Sequence, residues 1–192
     1  MEDPFALFQE WFDAAAATGV ELPEAMTLAT ATPDGAPSAR TVLLKGVDER
    51  GFVFFTNYES RKGRELEQNP QAALVFVWDV EPRRQVLVRG HVERVPQDES
   101  EAYFRTRPLG SRLAAWASRQ SEVIPAREAV EKAYADAEER FGDDPPLPPW
   151  WGGYVLAPEA FEFWENRPNR LHERFRYTRA ADGGWTLDRL SP

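Results

Sequence analysis

Cations recur where an acidic chain has least reason to place them. The protein carries a formal net charge of -9 over 192 residues. Yet Arg40, Lys45, Arg61 and Lys62 bracket two short apolar runs, Arg40-Thr-Val-Leu-Leu-Lys45 and Phe52-Val-Phe-Phe-Thr56. Overall composition does not explain that cluster. Ser60-Arg61-Lys62-Gly63 also reads as the start of a helix with Ser60 as its N-cap. Free backbone N–H groups, a hydroxyl and two cations at a helix start make a good anion site. A hairpin with solvated basic ends is the plainer alternative.

Two further groups have similar chemistry. Tyr103 and Arg107 are four apart on a helical stretch, so they share a face. Ser111 follows just beyond a Pro108-Leu-Gly110 break. A phenol, a guanidinium and a hydroxyl can hold a phosphate through charge-assisted hydrogen bonds, although Tyr–Arg neighbours are common on helix surfaces. If the chain from Arg170 onward is a strand, Arg170, His172, Arg174 and Arg176 share one face, and Leu171, Phe175 and Tyr177 the other. Such cations repel one another unless an anion or acidic partners answer them. A charged edge strand that resists aggregation is the alternative. Gln120-Ser121, in a polar loop, adds hydrogen-bonding capacity.

Several chemistries are missing. There is no cysteine, which excludes disulfides and thiolate chemistry. With His91 and His172 as the two histidines, no metal site is expected. No glycine-rich phosphate loop, G-x-S-x-G elbow or clear carboxylate pair occurs. Anion sites without a nucleophile or metal suit a cofactor that brings its own reactivity. The acidic balance argues against nucleic acid. No apolar run spans a membrane and no signal pattern opens the chain, so a cytoplasmic location is expected.

These groups need a frame. The hydrophobic fraction of 42% and charged fraction of 29% are those of a globular protein. One domain over residues 1–192 is expected. Seven Trp and twelve Phe suggest aromatic packing, a flat ligand or an interface. Asp3-Pro4 caps a first helix that closes at Gly19. Strands are expected at 26–32, 38–45, 52–56, 72–78 and 85–95, with 38–45 and 52–56 forming a hairpin. The run 72–78 is continuously apolar and reads as buried on both faces. A helix from Ser60 ends at Asn69-Pro70. A helical insertion covers about 97–141. Strands at 154–156, 160–164, 171–177 and 185–190 follow within the same domain. The order predicts a mainly β protein, a closed antiparallel Greek-key barrel with peripheral helices.

The chain resembles the pyridoxine (pyridoxamine) 5′-phosphate oxidase family along nearly its whole length. The segments that carry the likeness are Arg40–Lys45, Phe54-Phe-Thr-Asn57 with Ser60-Arg-Lys62, Arg84-Gln85, Tyr103-Phe-Arg-Thr-Arg107-Pro, Gln120-Ser121, Pro148-Pro-Trp-Trp-Gly-Gly153, Glu162-Phe-Trp164 and Arg170-Leu-His-Glu-Arg174. The resemblance implies an FMN-binding split β-barrel that works as a homodimer with sites at the interface. By the same resemblance FMN is bound by Arg40, Thr41, Val42, Leu43, Leu44, Lys45, Phe55, Thr56, Arg61, Lys62, Gln85, Gln120, Ser121, Trp164 and Arg174. Lys45, Tyr103, Arg107 and Ser111 would hold the substrate phosphate. Arg170 and His172 would face the pyridine ring as the catalytic pair.

Three departures stand out. The family's longer members carry a basic N-terminal arm, where only Met1-Glu2-Asp3 precede the first helix here. Phe55 stands where Tyr is common, and Pro82-Arg83-Arg84 is one residue longer than the usual turn. Arg40 and Lys45 are also five apart, which in a regular strand sends them to opposite faces. A bulge, or a contribution across a dimer, would reconcile them. The activity implied is oxidation of pyridoxine or pyridoxamine 5′-phosphate to pyridoxal 5′-phosphate by O2, with hydrogen peroxide released. A phenazine-type oxidase and a non-catalytic flavin or pyridoxal-phosphate carrier are the alternatives.

Overall fold

The computed structural model of the protein describes residues 3–192. Met1 and Glu2, part of the short stretch before the first helix, lie outside the described residues. The elements in order are α1 (Pro4–Ala17), β1 (Ala25–Ala31), β2 (Pro37–Leu43), β3 (Gly46–Asp48), β4 (Gly51–Asn57), α2 (Arg61–Gln68), β5 (Gln71–Trp78) and β6 (Arg84–Arg94). Then come α3 (Gln97–Thr106), α4 (Leu109–Ala117), α5 (Arg127–Phe141), β7 (Trp151–Glu165), β8 (Glu173–Arg179) and β9 (Trp185–Arg189). The strands form one antiparallel sheet in the order β2-β1-β5-β6-β7-β4-β3, with β8 and β9 branching from β7.

The expected barrel is mainly β and antiparallel, but its hydrogen bonding does not close. β2 and β3 are consecutive in the chain and stand at opposite ends of the sheet order. The sheet curls into a split barrel, and α1 packs its apolar stripe against it. Phe8 meets Phe52 and Phe76 edge-on, at 4.8 and 5.0 Å between ring centres, and Trp11 meets Phe163 at 5.2 Å. Much of the aromatic content therefore serves packing.

Four local expectations are corrected. The hairpin is β3–β4, because β2 pairs along its whole length with β1. The chain leaves β2 at Leu43, buries Leu44, and pairs Gly46 with Val53. β5 is not buried on both faces: Ala72, Leu74, Phe76 and Trp78 enter the core, while Val77 on the other face is 63% exposed. The strands expected at 154–156 and 160–164 are one long strand, β7. It absorbs Pro158 at a register shift opposite Arg89 and Gly90. Finally, the strand expected at 171–177, with Arg170 extending its face, starts later and follows a turn at Pro168–Arg170. Asn169 and Arg170 take left-handed φ values of 58° and 62°, and β8 starts only at Glu173.

Candidate active site

A cavity of about 870 Å³ opens between the outer part of β2, the end of β4, the start of α2 and the α3–α4 corner. Each wall follows from local sequence. Ser60 caps α2 by accepting from Gly63 N–H at 3.3 Å, which places Arg61 and Lys62 in the first helical turn. Pro108 ends α3 and opens α4, setting Arg107 at the break and Ser111 in the first turn of α4. Because β2 stops at Leu43, the alternation that would have separated Arg40 from Lys45 no longer applies, and both line the cavity.

The first cationic group surrounds Lys62. Its buried ammonium donates to Gln120 Oε1 at 2.7 Å, Thr56 Oγ1 at 3.1 Å and Ser60 Oγ at 3.2 Å. Burial, then the neighbouring Arg40 charge, pushes this amine down to about 8. Arg40 and Arg61 flank it, and both are tied to Glu65, at 3.5 and 2.8 Å. Burial alone would raise the Glu65 pKa. Hydrogen bonds from Ser38, Thr30 and Arg61 outweigh that and hold the carboxyl at about 2.

The second group is built on stacked rings. Phe55 stacks on Tyr103 at 4.0 Å and on Trp151 at 5.6 Å, and the Arg107 guanidinium lies 4.6 Å from the Trp151 ring centre. Arg107 Nη1 is buried without a hydrogen-bond partner, and burial lowers the pKa of the side chain. A buried cationic donor without a partner costs free energy unless an anion answers it. This orphaned donor, with Lys45, Tyr103 and Ser111 on the same cavity, fits a phosphate. The Lys62 group fits a second phosphate, as a flavin mononucleotide would require.

The cavity brings together Arg40, Thr41, Val42, Leu43, Lys45, Phe55, Thr56, Arg61, Lys62, Tyr103, Arg107, Ser111, Gln120 and Ser121. Leu44 is buried in the main core instead. Gln85, Trp164 and Arg174 lie side by side across β6, β7 and β8 in a separate row. The His172 ring rests 4.6 Å from Trp164, and its Nδ1 accepts from Arg167 N–H at 3.3 Å. Arg170 is exposed in the preceding turn, so the expected single strand face of Arg170, His172, Arg174 and Arg176 does not form. Within β8, acidic partners answer the cations: Arg174 pairs with Glu162 at 2.7 Å and Arg176 with Asp188 at 2.9 Å.

Sequence reasoning missed several residues at the site. Ser38 lies on the Arg40 side of β2, a position that two-residue alternation could have supplied. Glu65 stands four residues after Arg61 on α2, a standard helical pairing distance. Trp151, within the Pro148–Gly153 segment, lines the cavity and carries no local signal of that role in the sequence.

A family model described as pyridoxamine 5′-phosphate oxidase matches residues 12–141. The chain belongs to the pyridoxamine 5′-phosphate oxidase family. Membership places it among that family's flavin oxidases. A second model, the pyridoxine 5′-phosphate oxidase C-terminal dimerisation region, matches residues 151–192. The pyridoxine/pyridoxamine 5′-phosphate oxidase of Burkholderia cenocepacia is 58% identical over 99% of this chain and 89% of its own length. That of Cupriavidus pinatubonensis is 56% identical, with the same coverage. Among solved structures, PhzG from Burkholderia lata, in complex with tetrahydrophenazine-1-carboxylic acid, is similar with a TM-score of 0.94 and 33% identity. The match covers 100% of this chain and 94% of PhzG. A pyridoxamine 5′-phosphate oxidase-related FMN-binding protein from Nostoc punctiforme shares the fold at a TM-score of 0.77 and 21% identity, covering 100% of both chains.

Proposed function

We propose that the protein is an FMN-dependent oxidase that converts pyridoxine or pyridoxamine 5′-phosphate to pyridoxal 5′-phosphate. The observation that carries this reading is the pair of cationic groups on one cavity, one around Lys62 and one around the orphaned Arg107 Nη1. Arg61, Lys62, Thr56 and Gln120 would hold the flavin phosphate. Lys45, Tyr103, Arg107 and Ser111 would hold the substrate phosphate, with the ring stack fixing the Tyr103 and Arg107 side chains. When bound, FMN would supply the hydride acceptor for the substrate, with O2 as the final oxidant and hydrogen peroxide as its product.

Arg170 and His172 do not line this cavity, and neither does the row of Gln85, Trp164 and Arg174. In a homodimer, for which the match to a dimerisation region is the support, one chain's row would complete the other chain's cavity. His172 Nδ1 accepts a backbone N–H, so its neutral ring carries the proton on Nε2. That nitrogen would donate to the 3-oxygen of the substrate ring, and the Arg170 cation would favour the ionised form of the same oxygen. With pyridoxamine phosphate the product imine is hydrolysed and ammonia leaves. These residues orient and stabilise charge rather than attack.

The likeness to PhzG favours a second reading, a phenazine-type oxidase. A second phosphate site, for the substrate, has no role in that reading, whereas here Lys45, Tyr103, Arg107 and Ser111 all line the cavity. Aerobic assay of the FMN-loaded protein separates the two. Peroxide and pyridoxal phosphate should form from the phosphorylated vitamers and far more slowly from the unphosphorylated forms. Turnover of a reduced phenazine carboxylate alone would favour the second reading. Ligand binding without peroxide would mean a carrier.

A further inference from the structure

We propose that Glu65 is a positioning residue for the flavin phosphate, orienting Arg40 and Arg61 from behind the cavity wall and setting the net charge the cavity offers. The inference rests on the flavin reading above. Glu65 is 5% exposed and does not line the cavity, so it acts through its neighbours. Its Oε1 accepts from Arg61 Nε at 2.8 Å. Its Oε2 accepts from the Thr30 and Ser38 hydroxyls, each at 2.5 Å, and from Arg40 Nη2 at 3.5 Å.

The two arginines are used differently. Arg40 Nη1 donates to Leu28 O at 3.2 Å and Thr30 Oγ1 at 2.6 Å, and its Nη2 donates to Ser38 Oγ and Glu65. Its two terminal nitrogens are thus committed to the wall, and Nε–H remains for a ligand. Arg61 spends Nε on Glu65, which holds the guanidinium plane and leaves both terminal nitrogens as a fork. That fork is the geometry that grips a phosphate with two parallel hydrogen bonds. Arg40, Arg61 and Lys62 alone would be three like charges in one wall. The buried Glu65 carboxylate reduces their sum to that of a phosphate dianion's counterpart. Burying a carboxylate is costly unless donors surround it, and here two hydroxyls and two guanidinium groups do so. The short pairing of Thr30 and Ser38 with Glu65 links the β1–β2 edge to α2, so the two cation-bearing elements share one anchor.

Titration of flavin-free protein with FMN and with riboflavin, the same ring system without phosphate, tests this. Flavin fluorescence reports binding, and circular dichroism reports the fold. Glu65→Gln should weaken FMN binding by about tenfold while riboflavin binding stays within about twofold. Thr30→Val, which keeps shape and removes only a hydroxyl outside the cavity, should shift the same ratio in the same direction by less. It also carries the comparison if Glu65→Gln fails to fold. Equal weakening of both flavins, or FMN bound as tightly as before or more tightly, would overturn the assignment. A wild-type protein that does not prefer FMN to riboflavin would instead overturn the flavin-phosphate reading itself.

Discussion

At the scale of single residues, the site is governed by cations held in costly places. Lys62 has a folded-state pKa of about 8 against an ordinary 10.5. Between those values the unfolded chain binds more protons than the folded one, so stability rises with pH across that window. Below it, the buried ammonium is a fixed cost. Thermal melts of flavin-free protein between pH 8 and 10.5 should show the rise in wild type and lose it in Lys62→Met. Arg107 is the counterpart in the second group. Its Nη1 is buried without a partner while its plane lies over Trp151. Arg107→Ala should cost about 2–5 kcal/mol of substrate binding, seen as a raised KM for the phosphorylated vitamers, with flavin content unchanged. Equal loss of flavin would mean that the two phosphates had been assigned to the wrong groups.

At the scale of elements, the decisive placement is that of α2. Its first turn carries Arg61 and Lys62, and its buried side carries Glu65 and Leu66. The helix can lie so close to the chain before it because residue 63 is glycine. A Cβ there would sit 2.0 Å from the Tyr58 carbonyl oxygen and 2.7 Å from its Cα. Backbone cannot yield as a side chain can, so Gly63→Ala must push α2 off the end of β4. The expected result is about 1–3 kcal/mol lost in denaturant unfolding, with weakened FMN binding in the same variant. Normal flavin affinity in a destabilised variant would show that the cation geometry does not depend on the seating of α2.

At the scale of the whole molecule, one chain holds two parts of the expected site that do not meet. The cavity lies by β2, β4 and α2, and the row of Gln85, Trp164 and Arg174 crosses β6, β7 and β8. Leu171, beside His172, is 67% exposed. Val77 on the outer face of β5 is similarly open. The support for a subunit interface is the match of residues 151–192 to a dimerisation region. Sedimentation should find a dimer at working concentration. On dilution, flavin fluorescence should rise and activity fall together as the dimer dissociates. A monomer that keeps its flavin and turns over would remove the case for a shared site.

What the sequence by itself determined is mostly local or chemical. Asp3-Pro4, Ser60 and Asn69-Pro70 mark helix ends through capping and proline sterics, which act over a few residues. The clustering of Arg40, Lys45, Arg61 and Lys62 pointed to an anion site as one of two readings, because such charge needs an answer in an acidic chain. Tertiary structure alone decided which strands are neighbours. Alternating apolar residues say which face of a strand is buried, but every strand presents the same backbone donors and acceptors, so β2 could pair with β1 or with β4. Strand periodicity also could not reveal that β8 begins after Arg170, because a left-handed turn at Asn169 and Arg170 leaves no glycine as a marker. Nor could it show Glu65 at the centre of the cation cluster. That position arises only when α2 and the β1–β2 edge fold together and bring donors to it that lie 27 and 35 residues away in the chain.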